Sequence, residues 1–99
     1  MSLDLSAAQL AIVRSILHQH APRHSAWAFG SRVRGTAQCF SDLDICLDGA
    51  QPMGYEEKAN LKLAFSESNL PFMVDVVDLK RCSDAFATEI AHHRSALTF

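Results

Sequence analysis

The chain has 99 residues, 48% hydrophobic and 20% charged, with nine Lys and Arg against eleven Asp and Glu. That length fits one domain, residues 1–99, with a core that needs no disulfide or metal staple, and it leaves no room for a second. A net charge of −2 excludes a protein that coats nucleic acid non-specifically, because such binding draws on massed Lys and Arg.

The first helix is signposted by Ser6 as N-cap with Gln9 three residues on, a capping box, and by Leu5 and Leu10 at the two positions of a hydrophobic staple. Leu10, Val13 and Leu17, with Ile12 and Ile16, carry a helical period, and Pro22 ends it. Ser25–Phe29 reads as a short buried strand in which Trp27 and Phe29 belong to the core. It runs into Gly30-Ser31 and a brief helical stretch through Arg34 that stops at Gly35. From Ser41 to Asp48 the chain alternates, with Leu43, Ile45 and Leu47 on one face and Asp42, Asp44 and Cys46 on the other. Gly49–Gly54 is turn-rich. A helix follows from Tyr55 to about Asn69, with Glu56 and Glu57 in the first turn, where the helix dipole favours them. Phe72–Val77 is a β-rich strand that Asp78-Leu79-Lys80 leaves. Ser83 then caps a last helix whose apolar stripe is Phe86, Ile90 and Leu97. Strands alternating with helices predict an α/β (α+β) layer fold: a small mixed sheet of about three main strands flanked by about four helices.

Met1–Leu10 lacks the basic and apolar regions of a leader. No apolar run approaches the roughly 20 residues that span a bilayer. Cys39, Cys46 and Cys82 are odd in number and have no CxxC spacing, so free thiols in a reducing cytoplasm are expected. His18, His20, His92 and His93 read as surface residues.

Two local features carry chemistry. Asp42-Leu43-Asp44 puts two carboxylates on one strand face, a few ångströms apart. Their repulsion is relieved by a divalent cation such as Mg²⁺, which is typically held by one or two carboxylates plus phosphates and waters. Gly30-Ser31 stands at a strand-to-helix turn, where glycine admits a phosphate close to the backbone and helical N–H groups and a hydroxyl can hold its oxygens. Each feature alone is commonplace. Together, separated by ten residues, they have odds of roughly 10⁻³ of arising by composition in a chain of this length.

The stretch Gly30-Ser31-Arg32-Val33-Arg34-Gly35 through Ser41-Asp42-Leu43-Asp44 resembles the nucleotidyltransferase superfamily typified by DNA polymerase beta and kanamycin nucleotidyltransferase. More closely, the chain is similar to the minimal nucleotidyltransferases (MNT) of HEPN–MNT toxin–antitoxin pairs, along nearly its whole length. The resemblance maps the family's third acidic residue onto Asp75, within Val74-Asp75-Val76-Val77. Asp78 competes for that role but would face the opposite side of a regular strand, and Asp48 reads as a turn residue. The resemblance implies two Mg²⁺ ions held by Asp42, Asp44 and Asp75, and ATP as substrate, its phosphates held at Gly30 and Ser31. Arg34, and secondarily Arg32, would neutralise phosphate charge, since guanidinium pairs bidentately with phosphate. It also implies transfer of AMP to a tyrosine hydroxyl of a partner HEPN toxin. A chain this short must borrow its acceptor site from another protein. The alternative is an antitoxin that silences its partner by covering it, without catalysis.

Overall fold

Ser6 fixes where the chain first turns helical. Its hydroxyl accepts from the Gln9 amide at 3.1 Å, and the Gln9 side-chain oxygen accepts from the Ser6 amide at 3.0 Å, the reciprocal capping box expected from sequence. In the computed structural model, which describes residues 3–99, this helix is α1, Ala7–His20. It is followed by β1 (Ser25–Phe29), α2 (Ser31–Arg34), β2 (Leu43–Asp48), α3 (Tyr55–Ser66), β3 (Val74–Asp78), α4 (Asp84–His92) and β4 (Arg94–Leu97). Leu5 and Leu10, the staple pair, pack against the core. The Ser83 hydroxyl caps α4 by accepting from the Phe86 amide at 3.2 Å.

The four strands form one mixed sheet in the order β3-β2-β1-β4. β1 pairs antiparallel with both β2 and β4, whereas β2 and β3 run parallel, joined through α3. Period-two alternation divides each strand between two faces. Ala26, Ala28, Leu43, Ile45, Leu47, Val76 and Leu97 point to one side, where Val13 and Leu17 of α1 and Leu61 and Phe65 of α3 complete the buried core. The other face carries Phe29, Asp44, Cys46 and Asp75.

Four boundaries differ from the sequence expectation, each for a reason visible in the structure. The last helix ends at His92, and Leu97 enters the core from β4 opposite Ala26. A seven-residue spacing from Ile90 suits a helical stripe, but here pairing along the open edge of β1 overrides it. α3 stops at Ser66 rather than Asn69, because the hydroxyls of Ser66 and Ser68 turn back onto the carbonyls of Leu63 and Phe65, at 2.8 and 2.6 Å, a local alternative to continuing the helix. β2 begins at Leu43 rather than Ser41, since Ser41 is engaged in a turn with Gln38 through both its hydroxyl and its amide. β3 begins at Val74, which pairs with Leu43, while Phe72 turns toward Arg32. Trp27 and Phe29, expected in the core, are half-buried on the opposite face.

Asp78 is buried on the core side of β3. Its carboxylate accepts from the Met53 amide at 2.8 Å and the Lys80 amide at 2.9 Å, with the Arg81 guanidinium at 3.8 Å. It therefore ties the turn before α3 to the end of β3 and is absent from the Asp75 face. Asp78→Ala leaves two backbone donors unsatisfied and is expected to cost about 2 kcal/mol of stability. The exposed Asp75→Ala should stay within about 0.5 kcal/mol of the parent. Urea unfolding of the two variants checks the contrast.

Candidate active site

Strand register builds the site. Asp44 is paired on one side with Phe29 and on the other with Asp75, and Phe29 is paired in turn with Arg94. Arg94, Phe29, Asp44 and Asp75 therefore form one row across the sheet, all on the face away from α1 and α3. Asp42 stands just before β2, exposed, with the parity of Asp44. The sequence-expected carboxylates Asp42, Asp44 and Asp75 are thus brought to one end of one face.

They act on one another. The carboxyl group of Asp44 is held above its ordinary value of 3.8, first by burial, then by the charges of Asp75 and Asp42. Among the described residues no three Asp, Glu, His or Cys side chains are gathered tightly enough to enclose an ion by themselves. The donor set nevertheless suits Mg²⁺, which favours one or two carboxylates and completes its shell with water and substrate phosphate. A divalent cation would also offset the Asp75 and Asp42 charges that add to burial in raising Asp44.

Gly30 meets this row directly. It follows Phe29 at the end of β1, with φ 77° and ψ −153°, a combination essentially confined to glycine. A Cβ at this position would collide with Oδ2 of Asp44. The backbone turn and the carboxylate therefore lie in direct contact, and both demand glycine. The Gly30 carbonyl accepts from the amides of Val33 and Arg34, each at 3.0 Å, which starts α2. The amides of Ser31 and Arg32 belong to the first turn and lie outside the intrahelical bonding pattern. Arg34 is exposed and, with Gly30, Phe29 and Phe86, lines a cleft of about 170 Å³.

Arg32 is placed otherwise. It is 5% exposed, stacks on Phe72 with its guanidinium carbon 4.0 Å from the ring centroid, and donates only to backbone carbonyls. It is not available to phosphate, which corrects the secondary role expected for it. Arg94 was missed by sequence reasoning, because a helix was expected there. It stacks over Trp27 at 4.3 Å beside the carboxylate row. Phe29 is met edge-on by Phe86, with ring centroids 6.1 Å apart. Cys46, beneath this face, is fully buried, and burial pushes its thiol up to about 11. All three cysteines are free.

A further cavity, about 550 Å³, lies elsewhere: an apolar groove between α3 and the segment entering β3, lined by Leu63, Phe65, Leu70, Phe72 and Met73. No carboxylate lines it, in contrast to the sheet end that carries Asp42, Asp44 and Asp75.

A glycine turn against a strand-borne carboxylate cluster has the make-up that phosphoryl or nucleotidyl transfer calls for. The sequence model of polymerase beta nucleotidyltransferases matches residues 12–98, and the chain belongs to that family. A relative in Haemophilus influenzae strain Rd, a probable protein adenylyltransferase, MntA, is 45% identical over 84 residues, covering 85% of this chain and 74% of that protein. Two solved structures share the fold. One is a toxin–antitoxin with AMP-PNP, with a TM-score of 0.77 and 24% identity, covering 90% of this chain and 72% of that one. The other is a tri-AMPylated Shewanella oneidensis HEPN toxin in complex with MNT antitoxin, with a TM-score of 0.66 and 21% identity, covering 90% of this chain and 71% of that one.

Gly30 and Gly35 provide a paired test. Both have positive φ, 77° and 79°, but a Cβ at Gly35 meets nothing within 4 Å. Each alanine variant should lose about 1–2 kcal/mol from the backbone alone. Nucleotidyl transfer per folded molecule is expected to collapse in Gly30→Ala and to survive in Gly35→Ala, as measured by turnover corrected for the folded fraction.

Proposed function

We propose that this chain, acting as a single minimal nucleotidyltransferase unit in the cytoplasm, transfers AMP from ATP to a hydroxyl of a partner HEPN toxin, and that this is how it serves as antitoxin. The observation that carries the reading is the row in which Asp44 touches Gly30 on one side and pairs with Asp75 on the other. It puts a phosphate-approaching turn, a metal-type carboxylate and a second carboxylate within one small surface. The 45% identity to the Haemophilus influenzae relative supports a protein as acceptor, as does the tri-AMPylated toxin found with the Shewanella oneidensis antitoxin.

Gly30 and Ser31 hold the β- and γ-phosphates through backbone N–H groups and the Ser31 hydroxyl, and Arg34 adds a cation beside them. Asp42, Asp44 and Asp75 would hold two Mg²⁺ ions. Mg²⁺ there would supply Lewis acidity toward the triphosphate and lower the pKa of the attacking hydroxyl. Asp75 accepts the proton as the acceptor oxygen bonds to the α-phosphorus. The bond from the α-phosphorus to its bridging oxygen breaks, and pyrophosphate leaves. The acceptor ends as a phosphodiester of AMP, and a tyrosine hydroxyl of the partner fits this step.

The acceptor comes from outside the chain in this reading. Phe40 and Met73 are 77% and 76% exposed, and each stands two residues before a site carboxylate, Asp42 and Asp75 respectively. Large apolar side chains so placed suit contact with a protein that must present a hydroxyl to Asp75. No helix among the described residues is long and apolar enough to cross a membrane.

Intact-mass spectrometry of a HEPN protein incubated with this chain, ATP and Mg²⁺ is expected to show the gain of one or more AMP units. Asp44→Asn removes a metal ligand and little packing, so it should lower that gain on the order of 10³-fold or more without unfolding the chain. A stable complex with no mass gain would instead support an antitoxin that acts by binding alone.

A further inference from the structure

We propose that Arg32 is a positioning residue that sets the spacing of the site carboxylates by clamping the Asp42-bearing loop to the segment that delivers Asp75. This rests on the nucleotidyl-transfer reading and extends it to a residue that cannot itself reach substrate.

Four of the five N–H donors of the guanidinium are used, all on main-chain carbonyls. Nε donates to Ser41 at 3.1 Å, and Nη1 to Asp4 at 3.0 Å. Nη2 donates to Gln38 at 3.3 Å and Cys39 at 3.0 Å. The Asp4 amide returns a hydrogen bond to the Arg32 carbonyl at 2.7 Å. Among the described residues the guanidinium makes no ion pair.

A buried cation without a counter-charge is costly. A fork of fixed geometry justifies that cost only where several acceptors must be held at once. Three of the four acceptors belong to residues 38–41 and the fourth to Asp4, segments that have no strand or helix to satisfy their carbonyls. Ser41, gripped by Nε, immediately precedes Asp42.

The same guanidinium stands over the Phe72 ring, its carbon 4.0 Å from the centroid. Phe72 precedes Met73, whose carbonyl accepts from the Leu43 amide at 2.9 Å where β3 joins β2, two residues before Asp75. One side chain therefore spans the two chain segments that enter the site from different parts of the sequence. Asp44 needs no such help, because the β ladder fixes it on both sides. Asp42 lies outside β2 and has only the loop to place it.

The test is Mg²⁺-dependent binding of a non-hydrolysable ATP analogue, followed by calorimetry, which reads the site without turnover. Arg32→Lys keeps the charge but cannot hold four divergent carbonyls. It is expected to raise the Mg²⁺ concentration at half-saturation by about 10–100-fold, the range seen when a ligand's supporting partner is removed. Val13→Ala, a core truncation on α1, should lower the thermal midpoint without moving the Mg²⁺ dependence, which separates positioning from stability. If Arg32→Lys does not fold, Phe72→Leu decides: loss of the ring under the guanidinium should shift the Mg²⁺ midpoint about threefold or more. A folded Arg32→Lys with wild-type Mg²⁺ dependence overturns the proposal, as does an unshifted Phe72→Leu where the lysine variant is lost. A wild-type chain that binds no nucleotide with Mg²⁺ overturns the proposal and the transfer reading together, whereas wild-type binding with unshifted variants overturns only the role of Arg32.

Discussion

The contact between Gly30 and the carboxylate of Asp44 is the constraint around which this molecule is arranged. It exists because β1 ends in a glycine whose φ is positive and whose missing Cβ leaves room for Oδ2 of the neighbouring strand. The antiparallel pairing of Phe29 with Asp44 brings the two together, and the parallel pairing of Asp44 with Asp75 adds the third carboxylate. The core on the far face holds this register: shifting β2 by one residue would turn Leu43, Ile45 and Leu47 outward. The packing of α1 and α3 against those residues is therefore also what fixes the site.

The site carries two features that set it apart from the rest of the sheet. The backbone at Gly30 adopts a conformation that other residues avoid, and burial, reinforced by the charges of Asp75 and Asp42, makes Asp44 resist ionisation. Both suit a site that takes up a cation, because a cation beside Asp44 would relieve the repulsion while the glycine keeps the backbone turn close to that carboxylate. A buried carboxylate beside two others in an open sheet end is the kind of environment from which functional groups are built. Asp78 shows the contrast within the same strand. Three residues from Asp75 and on the opposite face, it spends its carboxylate on two backbone amides and an arginine.

Much of this was legible in the sequence because it depends on period and local chemistry. The alternation of Leu43, Asp44, Ile45 and Cys46 gave the strand and its two faces, and the parity of Asp75 and Asp78 put them on opposite faces of β3. The capping residues Ser6 and Ser83 gave two helix starts to the residue. What escaped depends on distant partners. β4 was read as helix because only its pairing with β1 reveals it as a strand. Trp27 and Phe29 were assigned to the core because hydrophobicity alone does not say which face of a sheet is covered by helices. Arg32 sits in a motif rich in phosphate-binding chemistry, and nothing local tells that its fork is filled by carbonyls of residues 4, 38, 39 and 41.

The central claim is that one small surface, at Gly30-Ser31, Asp42, Asp44 and Asp75, binds metal and nucleotide together. Paramagnetic broadening of backbone amide signals by Mn²⁺, recorded with and without a non-hydrolysable ATP analogue, tests it most directly. The account predicts broadening centred on residues 30–31, 42–44 and 75, stronger when the nucleotide is present. Broadening centred on the opposite end of the sheet, around Asp48 and Lys80, or independent of nucleotide, would contradict it.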